Sequence, residues 1–336
     1  MPVLSSRLRS RLRIVSFVVI PCLMVQKIIR SVSIEYNELF NKRFTIPARP
    51  ITFKPLPKNF VPRVYRSKDK WGVAPIVVKE YKLLFFHQGK VACTEFKKLL
   101  RRMMHLDDWR KGSDKGNIPH NPSYNGLKYL YHYPLKTALE MLTDPEWTRA
   151  IFVRDPKERF FSAYLDKAKK KDGIYVTHHC CNNLVNNKQS CGKRAARSLL
   201  YFTKLAKDHC SWDHHWQPQY RRIDKELWSY VNFVGQFDSL AEDTRRMLER
   251  LGHGAWEKFG ASGWGEFHNE TAFVGSNTAT HRTSARAKLS QYINETIVDK
   301  MLDEFYSQDY MHAPFNFTWY SLADPLTMAS VKLVST

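Results

Sequence analysis

Three times along this chain a short apolar run is followed, a few residues later, by a segment with helical periodicity. That alternation decides most of what the chain can fold into. The first unit is residues 82–87 (KLLFFH), then Gln88-Gly89-Lys90, then a helical stretch over 92–104. The second is 149–153 (RAIFV), the turn Arg154-Asp155-Pro156, and a helix over 157–170. Asp155 is the expected N-cap of that helix and Pro156 its first-turn residue. The third is 231–235 (VNFVG), followed by an amphipathic helix over 239–251. Apolar runs without alternation suit strands buried on both faces, and strands joined through helices run parallel. The expectation is an α/β fold: a central, mostly parallel sheet flanked by helices, with ligands at the carboxyl ends of the strands. Residues 252–285 show no clear period and read as loops over that end, and 289–310 read as a closing helix or pair.

The loops after the first two strands carry the chemistry. In HQGKVACTEFKKLL a strand feeds a tight turn with Gly89, then Lys90, then Thr94 at a helix start. A helix N-terminus presents unpaired backbone N–H groups and the positive end of a dipole, so it binds phosphate or sulfate. The G-x-x-x-x-G-K-[ST] phosphate loop is absent, which argues against a kinase. In FVRDPKERFFSAYLDK, Arg154 stands at a strand end, and Arg159 and Ser162 share a helix face. An arginine fork with a nearby hydroxyl grips an oxyanion. The bland reading of the same residues is surface ion pairing, Arg154 with Asp155 and Glu158 with Arg159. Lys and Arg number 53 against 32 Asp and Glu, a formal charge of +21. A surplus of that size favours an anionic partner without saying which kind. A non-catalytic binder of an acidic glycan or nucleic acid would explain the charge but not the two loops.

HQGKVACTEFKKLL resembles the 5′-phosphosulfate loop of the Golgi carbohydrate sulfotransferases, written PKVACS-x-W-K. FVRDPKERFFSAYLDK resembles their 3′-phosphate motif, RDPFERLVSAYRDK, with the same spacing from Arg154 to Ser162. DHHWQPQ with YVNFVGQFDSLAED is similar to the family's EHWQ and YDFVGKFETLEED, and THRTSARAKLSQY with DEFYSQDY is similar to its C-terminal end. The likeness runs over roughly 75–315 and is best to the chondroitin/dermatan 4-O type. It implies a P-loop-like sulfotransferase fold. It also implies the donor PAPS (3′-phosphoadenylyl sulfate) and a carbohydrate acceptor; no metal is expected, because Lys and Arg supply the positive charge this chemistry needs. Donor contacts carry over onto Gln88, Gly89, Lys90, Val91, Ala92, Cys93 and Thr94, and onto Arg154, Arg159 and Ser162. Gln88-Gly89 stands where the family has Pro before the lysine, and Glu95-Phe96 where it has a polar residue and Trp. The family's cysteines after EHWQ are missing here, so its disulfide scheme and acceptor face do not transfer.

Sulfuryl transfer to a hydroxyl needs in-line alignment, stabilisation of spreading charge and a general base. Lys90 is the expected catalytic cation at the bridging oxygen, and histidine is the natural base near neutral pH. Among 13 histidines, two stand out. His132 lies between the two motifs, where the related 2-O-sulfotransferases keep a catalytic histidine. His215 matches the histidine of EHWQ, with Asp213 placed to orient it. His87, His281 and Glu95 complete the field, which the sequence leaves open. His281 to Ser284 with Arg286 suggests either a basic loop over the site or a solvated turn, and residues 167–171 read as a solvated helix end.

The N-terminal region points to a membrane. Residues 1–13 are Arg-rich, residues 14–29 open with the apolar run IVSFVVIPCLMV, and no acid occurs in the first 34 residues. Six of the excess positive charges lie in that stretch. Basic residues before an apolar run orient it with the N-terminus in the cytoplasm. The expected organisation is a cytoplasmic tail (1–13), signal anchor (14–29), stem (30–70), sulfotransferase domain (71–320) and C-terminal tail (321–336). That makes a single-pass type II Golgi membrane protein with a lumenal catalytic domain. An organelle presequence is the competing reading. Sequons at Asn269, Asn294 and Asn316 favour the secretory route. So does the cluster Cys180, Cys181, Cys191 and Cys210, read as disulfides rather than zinc ligands with His178, His179 and His209. Adjacent Cys180 and Cys181 do not bridge, which leaves two pairings. The surplus charge makes an acidic polysaccharide the expected acceptor, and no nucleic-acid partner is expected.

Overall fold

A computed structural model describes residues 55–65, 74–111, 118, 120–182, 188–274, 284–292 and 296–318. The expected tails, the signal anchor, most of the stem, Asn294, and His281 to Thr283 of the expected basic loop lie outside these residues. No described helix is long and apolar enough to cross a membrane.

In chain order the elements that position the site begin with strands β1 (Ile76–Val78) and β2 (Leu83–Phe86) and helix α1 (Cys93–Met103). Helix α2 (Leu135–Thr143) leads into strand β3 (Thr148–Val153), and helix α3 (Pro156–Ala163) continues through a π-helical turn, Tyr164–Lys169. Helices α4 (Ile174–Cys180), α5 (Lys188–Arg197) and α6 (Leu199–Asp208) precede strand β4 (Phe233–Gln236) and helix α7 (Leu240–Leu251). Helices α8 (Ala285–Tyr292) and α9 (Thr296–Met311) close the chain.

The sheet order is β1-β2-β3-β4. The three strands of the repeated units are parallel, with Phe85 opposite Ala150 and Ala150 opposite Phe233, while β1 adds an antiparallel edge. Both faces are covered, which explains the unbroken apolar runs. Phe85 and Phe152 face α1 through Phe96, with Phe96 and Phe152 centroids 4.4 Å apart. Leu84, Phe86, Ile151 and Val153 pack on the other side with Leu130 and Met141. A separate helical cluster gathers Phe160, Phe202, Trp216 and Tyr306. It contains the bridges Cys180–Cys210 and Cys181–Cys191.

Element ends depart little from the sequence reading. Asp155 caps α3 by accepting from the Glu158 N–H at 2.9 Å, and Pro156 is its first residue. The third strand begins two residues later than its apolar run suggests, since β4 starts at Phe233. The stretch 252–285, expected as loops, holds a π-helical turn, Trp256–Gly260, and a bridge between Trp264 and Glu270. Trp264 is buried there, its indole N–H donating to the Phe259 carbonyl at 2.8 Å.

Candidate functional site

The site lies where β2 and β3 end. After β2 the backbone turns through Lys90 at φ 66° and Ala92 at φ 49° before entering α1. No side chain caps that helix, so its first-turn N–H groups are open to an anion. Gly89 is fixed by contact: a Cβ there would lie 2.8 Å from the His214 carbonyl oxygen. Gly89→Ala therefore pushes the Lys90 loop off the 214–215 backbone. The expected result is about a tenfold weaker hold on an anionic ligand, checked by isothermal titration with the folded variant. The Lys90 ammonium is buried and pairs with Asp166 at 3.1 Å. Burial pushes the Asp166 carboxyl up, but Lys90 and Lys167 outweigh it and hold it well below its ordinary value.

Arg154 follows β3. Its backbone N–H and carbonyl are both bonded to the Gln219 amide, at 3.0 and 2.8 Å. Its guanidinium lies over Phe237 at 4.2 Å and reaches the Lys90 carbonyl at 3.4 Å and Glu158 at 3.5 Å. Burial lowers its pKa and Glu158 partly restores it. Its Nε has no hydrogen-bond partner among the described residues. Glu158 also accepts from Arg286, which bonds Asp238 at 2.6 Å. Arg286 thus packs against the corner instead of lying on a solvated turn. Ser162 is buried on α3 below.

Arg159 is fully buried, and its guanidinium donates to the carbonyls of Gly89, Gln217 and His214 at 3.0, 2.8 and 2.9 Å. It clamps the Lys90 loop to the 214–217 loop. Neither surface pair of the bland reading forms: Arg154 pairs with Glu158, and Asp155 is a cap.

On the clamped loop, His215 Nδ1 lies 2.8 Å from Asp213 Oδ1, and the Tyr175 hydroxyl donates to Asp213 Oδ2 at 2.7 Å. With Nδ1 committed to the carboxylate, Nε2 is the nitrogen left to accept a proton. Burial lowers the His215 pKa well below the ordinary value, followed by Lys167 and Lys90. Tyr175 comes from α4, which the Cys180–Cys210 bridge ties to the segment just before Asp213. Lys167, expected on a solvated helix end, instead pairs with Asp166 at 3.2 Å and lies over the Tyr175 ring at 5.1 Å. Asp213, His214 and His215 offer ligand atoms within 4.8 Å of one another. The surrounding lysines and arginines oppose a divalent cation there.

The other candidates are placed differently. His132 is exposed, and its Nδ1 accepts from the Tyr129 N–H at 3.1 Å as part of a capping box. His87 is buried beside Lys97 and Arg222. Glu95 pairs with Lys98 at 3.1 Å. Sequence reasoning missed Asp166, Lys167, Tyr175, Gln219 and Arg222. Asp166 and Lys167 fall inside the second quoted motif and Gln219 ends DHHWQPQ, while Tyr175 and Arg222 carry no local signal.

A model of the sulfotransferase family matches residues 75–316. Human (Homo sapiens) carbohydrate sulfotransferase 9 is 28% identical over 258 residues, covering 72% of this chain and 52% of the relative. Mouse (Mus musculus) carbohydrate sulfotransferase 11 is 26% identical over 200 residues, covering 55% and 54%. Zebrafish (Danio rerio) carbohydrate sulfotransferase 14 is 22% identical over 202 residues, covering 54% and 52%. The chain spans about half the length of these relatives. No solved structure matches it.

Proposed function

This chain belongs to the sulfotransferase family, and from that membership we propose that it transfers a sulfuryl group from PAPS to a hydroxyl of a carbohydrate. The observation that carries the reading is the clamp: Arg159 fastens the Lys90 loop to the loop bearing the Asp213–His215 pair. An anion-binding turn and an oriented base therefore share one site.

The residues fit the donor. The uncapped start of α1 and the Lys90 turn suit its 5′-phosphosulfate. The buried Arg154, with Nε unmatched among the described residues, suits its 3′-phosphate beside Ser162. The donor supplies an activated sulfuryl group whose bridging bond breaks as an acceptor oxygen attacks from the opposite side. Lys90 stabilises negative charge developing on the bridging oxygen. His215 Nε2 takes the acceptor proton, and Asp213 holds the ring and stabilises the imidazolium that forms. Asp166 keeps the Lys90 ammonium charged and parked within reach of the loop.

The acceptor reading is a carbohydrate, and the surplus of positive charge favours an acidic polysaccharide. The two disulfides support an oxidising lumen. Exposed Asn269 and Asn316 leave two sequons accessible. Together with the Arg-rich, apolar N-terminal sequence they support a Golgi membrane enzyme with a lumenal domain.

Retention on immobilised PAP, the desulfated donor, tests the reading. The full chain is expected to bind, and Lys90→Ala and Arg154→Ala each weaken binding by about 10- to 100-fold, the worth of one charge-assisted contact. Binding unchanged in both variants would sink the donor assignment. Salt-sensitive retention on any polyanion, without dependence on PAP, would instead mark a non-catalytic polyanion binder.

A further inference from the structure

Beside the donor loop lies a basic cluster that the proposed transfer does not use. Lys97, on α1 one turn after Cys93, is 1% exposed. Arg222 is 2% exposed, and its Nε donates to the His87 carbonyl at 2.8 Å. Neither Arg222 Nη1 nor Nη2 has a hydrogen-bond partner among the described residues. His87, 4% exposed, has both ring nitrogens likewise unmatched. Burial, then Lys97, Arg222, His214 and His120, press the His87 pKa well below its ordinary value. Burial lowers Lys97 to about 8, with Arg222 adding to the effect and Cys93 opposing it. A carboxylate felt here is Asp213, through His214, and it is already bonded to Tyr175 and His215.

Buried guanidinium N–H groups facing other cations need an anion. The cluster borders the donor loop: Arg222 holds the carbonyl of His87, next to Gln88, and Lys97 lies one turn along α1 from Cys93. The His214 and His215 rings lie side by side, centroids 3.9 Å apart and tilted by 38°. Burial lowers the pKa of both rings; Lys167 and Lys90 lower that of His215 further, and His215, Arg222 and Lys97 that of His214. Gly89 packs against the backbone of His214 and His215, two residues after the His87 carbonyl that Arg222 holds, so the cluster adjoins the proposed base. His120 and His214 are the partly exposed members, and His120 Nε2 is 3.0 Å from the Thr94 hydroxyl at the start of α1.

We propose that Arg222, Lys97 and His87 form an anion subsite for the acceptor, taking the carboxylate or a pre-existing sulfate ester of a sugar next to the one that is sulfated. The proposal rests on the transferase reading and names what that site selects.

The test uses the full chain saturated with PAP, comparing sodium sulfate with sodium chloride at equal ionic strength. Sulfate is expected to raise the Tm of the wild type by a further ~3 °C. Arg222→Met loses that rise and keeps the shift due to PAP; Lys97→Met serves in its place should Arg222→Met not fold. In transfer assays Arg222→Met raises KM for a uronate polysaccharide by about 10- to 100-fold with kcat little changed. A difference that vanishes on the carboxyl-reduced polymer identifies the carboxylate. One that persists on the carboxyl-reduced, sulfated polymer identifies the sulfate ester. Sulfate adding nothing once PAP is bound, or a KM unchanged on every polymer, overturns the proposal. A wild type that ignores PAP but shows a sulfate shift abolished by Arg222→Met removes the donor reading and leaves the anion subsite standing.

Discussion

His215→Ala is expected to lower kcat by about 10²- to 10⁴-fold, the usual worth of a positioned general base, while PAP retention stays within about twofold of the wild type. The expectation follows from how the ring is held. Asp213 fixes Nδ1 at 2.8 Å, Tyr175 fixes Asp213, and the lone pair of Nε2 is the available base. Asp213→Asn keeps the shape but loses the charge that stabilises the imidazolium, so kcat falls there as well. The pH dependence has a defined sign. Burial, then Lys167 and Lys90, press the His215 pKa well below its ordinary value, with Asp166 opposing them. The free enzyme keeps the ring neutral, so kcat/KM stays level as pH falls through 6.5 and declines only in more acid solution. Binding an anionic donor against Lys90 relieves part of that pressure, so the acid limb of kcat lies at higher pH than that of kcat/KM. The two profiles on one protein preparation check this. An equal loss of rate in His132→Ala, with His215→Ala active, would transfer the role to His132 despite its part in the Tyr129 capping box.

The units that build the sheet were legible because each carries redundant local information. The run KLLFFH has the composition of a strand covered on both faces, and Asp155-Pro156 marks a helix start in two independent ways. The antiparallel β1 was not legible, being three residues long with no alternation to reveal it. At the site, what was hidden depends on backbone atoms brought together from afar. Arg159 shares a helix face with Ser162, which suggested a phosphate contact. The carbonyls that occupy its guanidinium come from residues 55 to 70 positions away, and carbonyls leave no mark in a sequence. Arg222 is hidden for the same reason, since its bonded partner is the His87 carbonyl. The cysteine arithmetic left two pairings. What decides between them is the packing of α4 against α5, which brings Cys181 to Cys191 and leaves Cys180 for Cys210.

Arg159→Met is expected to destabilise the protein by about 3–5 kcal/mol, a large part of the 5–15 kcal/mol typical of a folded domain. Methionine fills much of the volume, so packing loss is secondary. The cost comes from one buried and two part-buried carbonyls losing charge-assisted donors, each worth about 1–3 kcal/mol when left unmatched in the interior. Against this, removing a buried guanidinium recovers part of its desolvation, which keeps the total below the sum of the three. Urea unfolding without any nucleotide measures the effect directly. The same variant separates two roles that sequence reasoning would merge. A clamp residue that does not touch the donor loses stability first, and PAP affinity follows because the Lys90 loop is no longer held against residues 214–217. A residue that grips phosphate would leave the nucleotide-free urea midpoint unchanged and lose only PAP affinity. That second result would show the guanidinium leaving Gly89, Gln217 and His214 for the ligand, and would return Arg159 to the donor set beside Arg154.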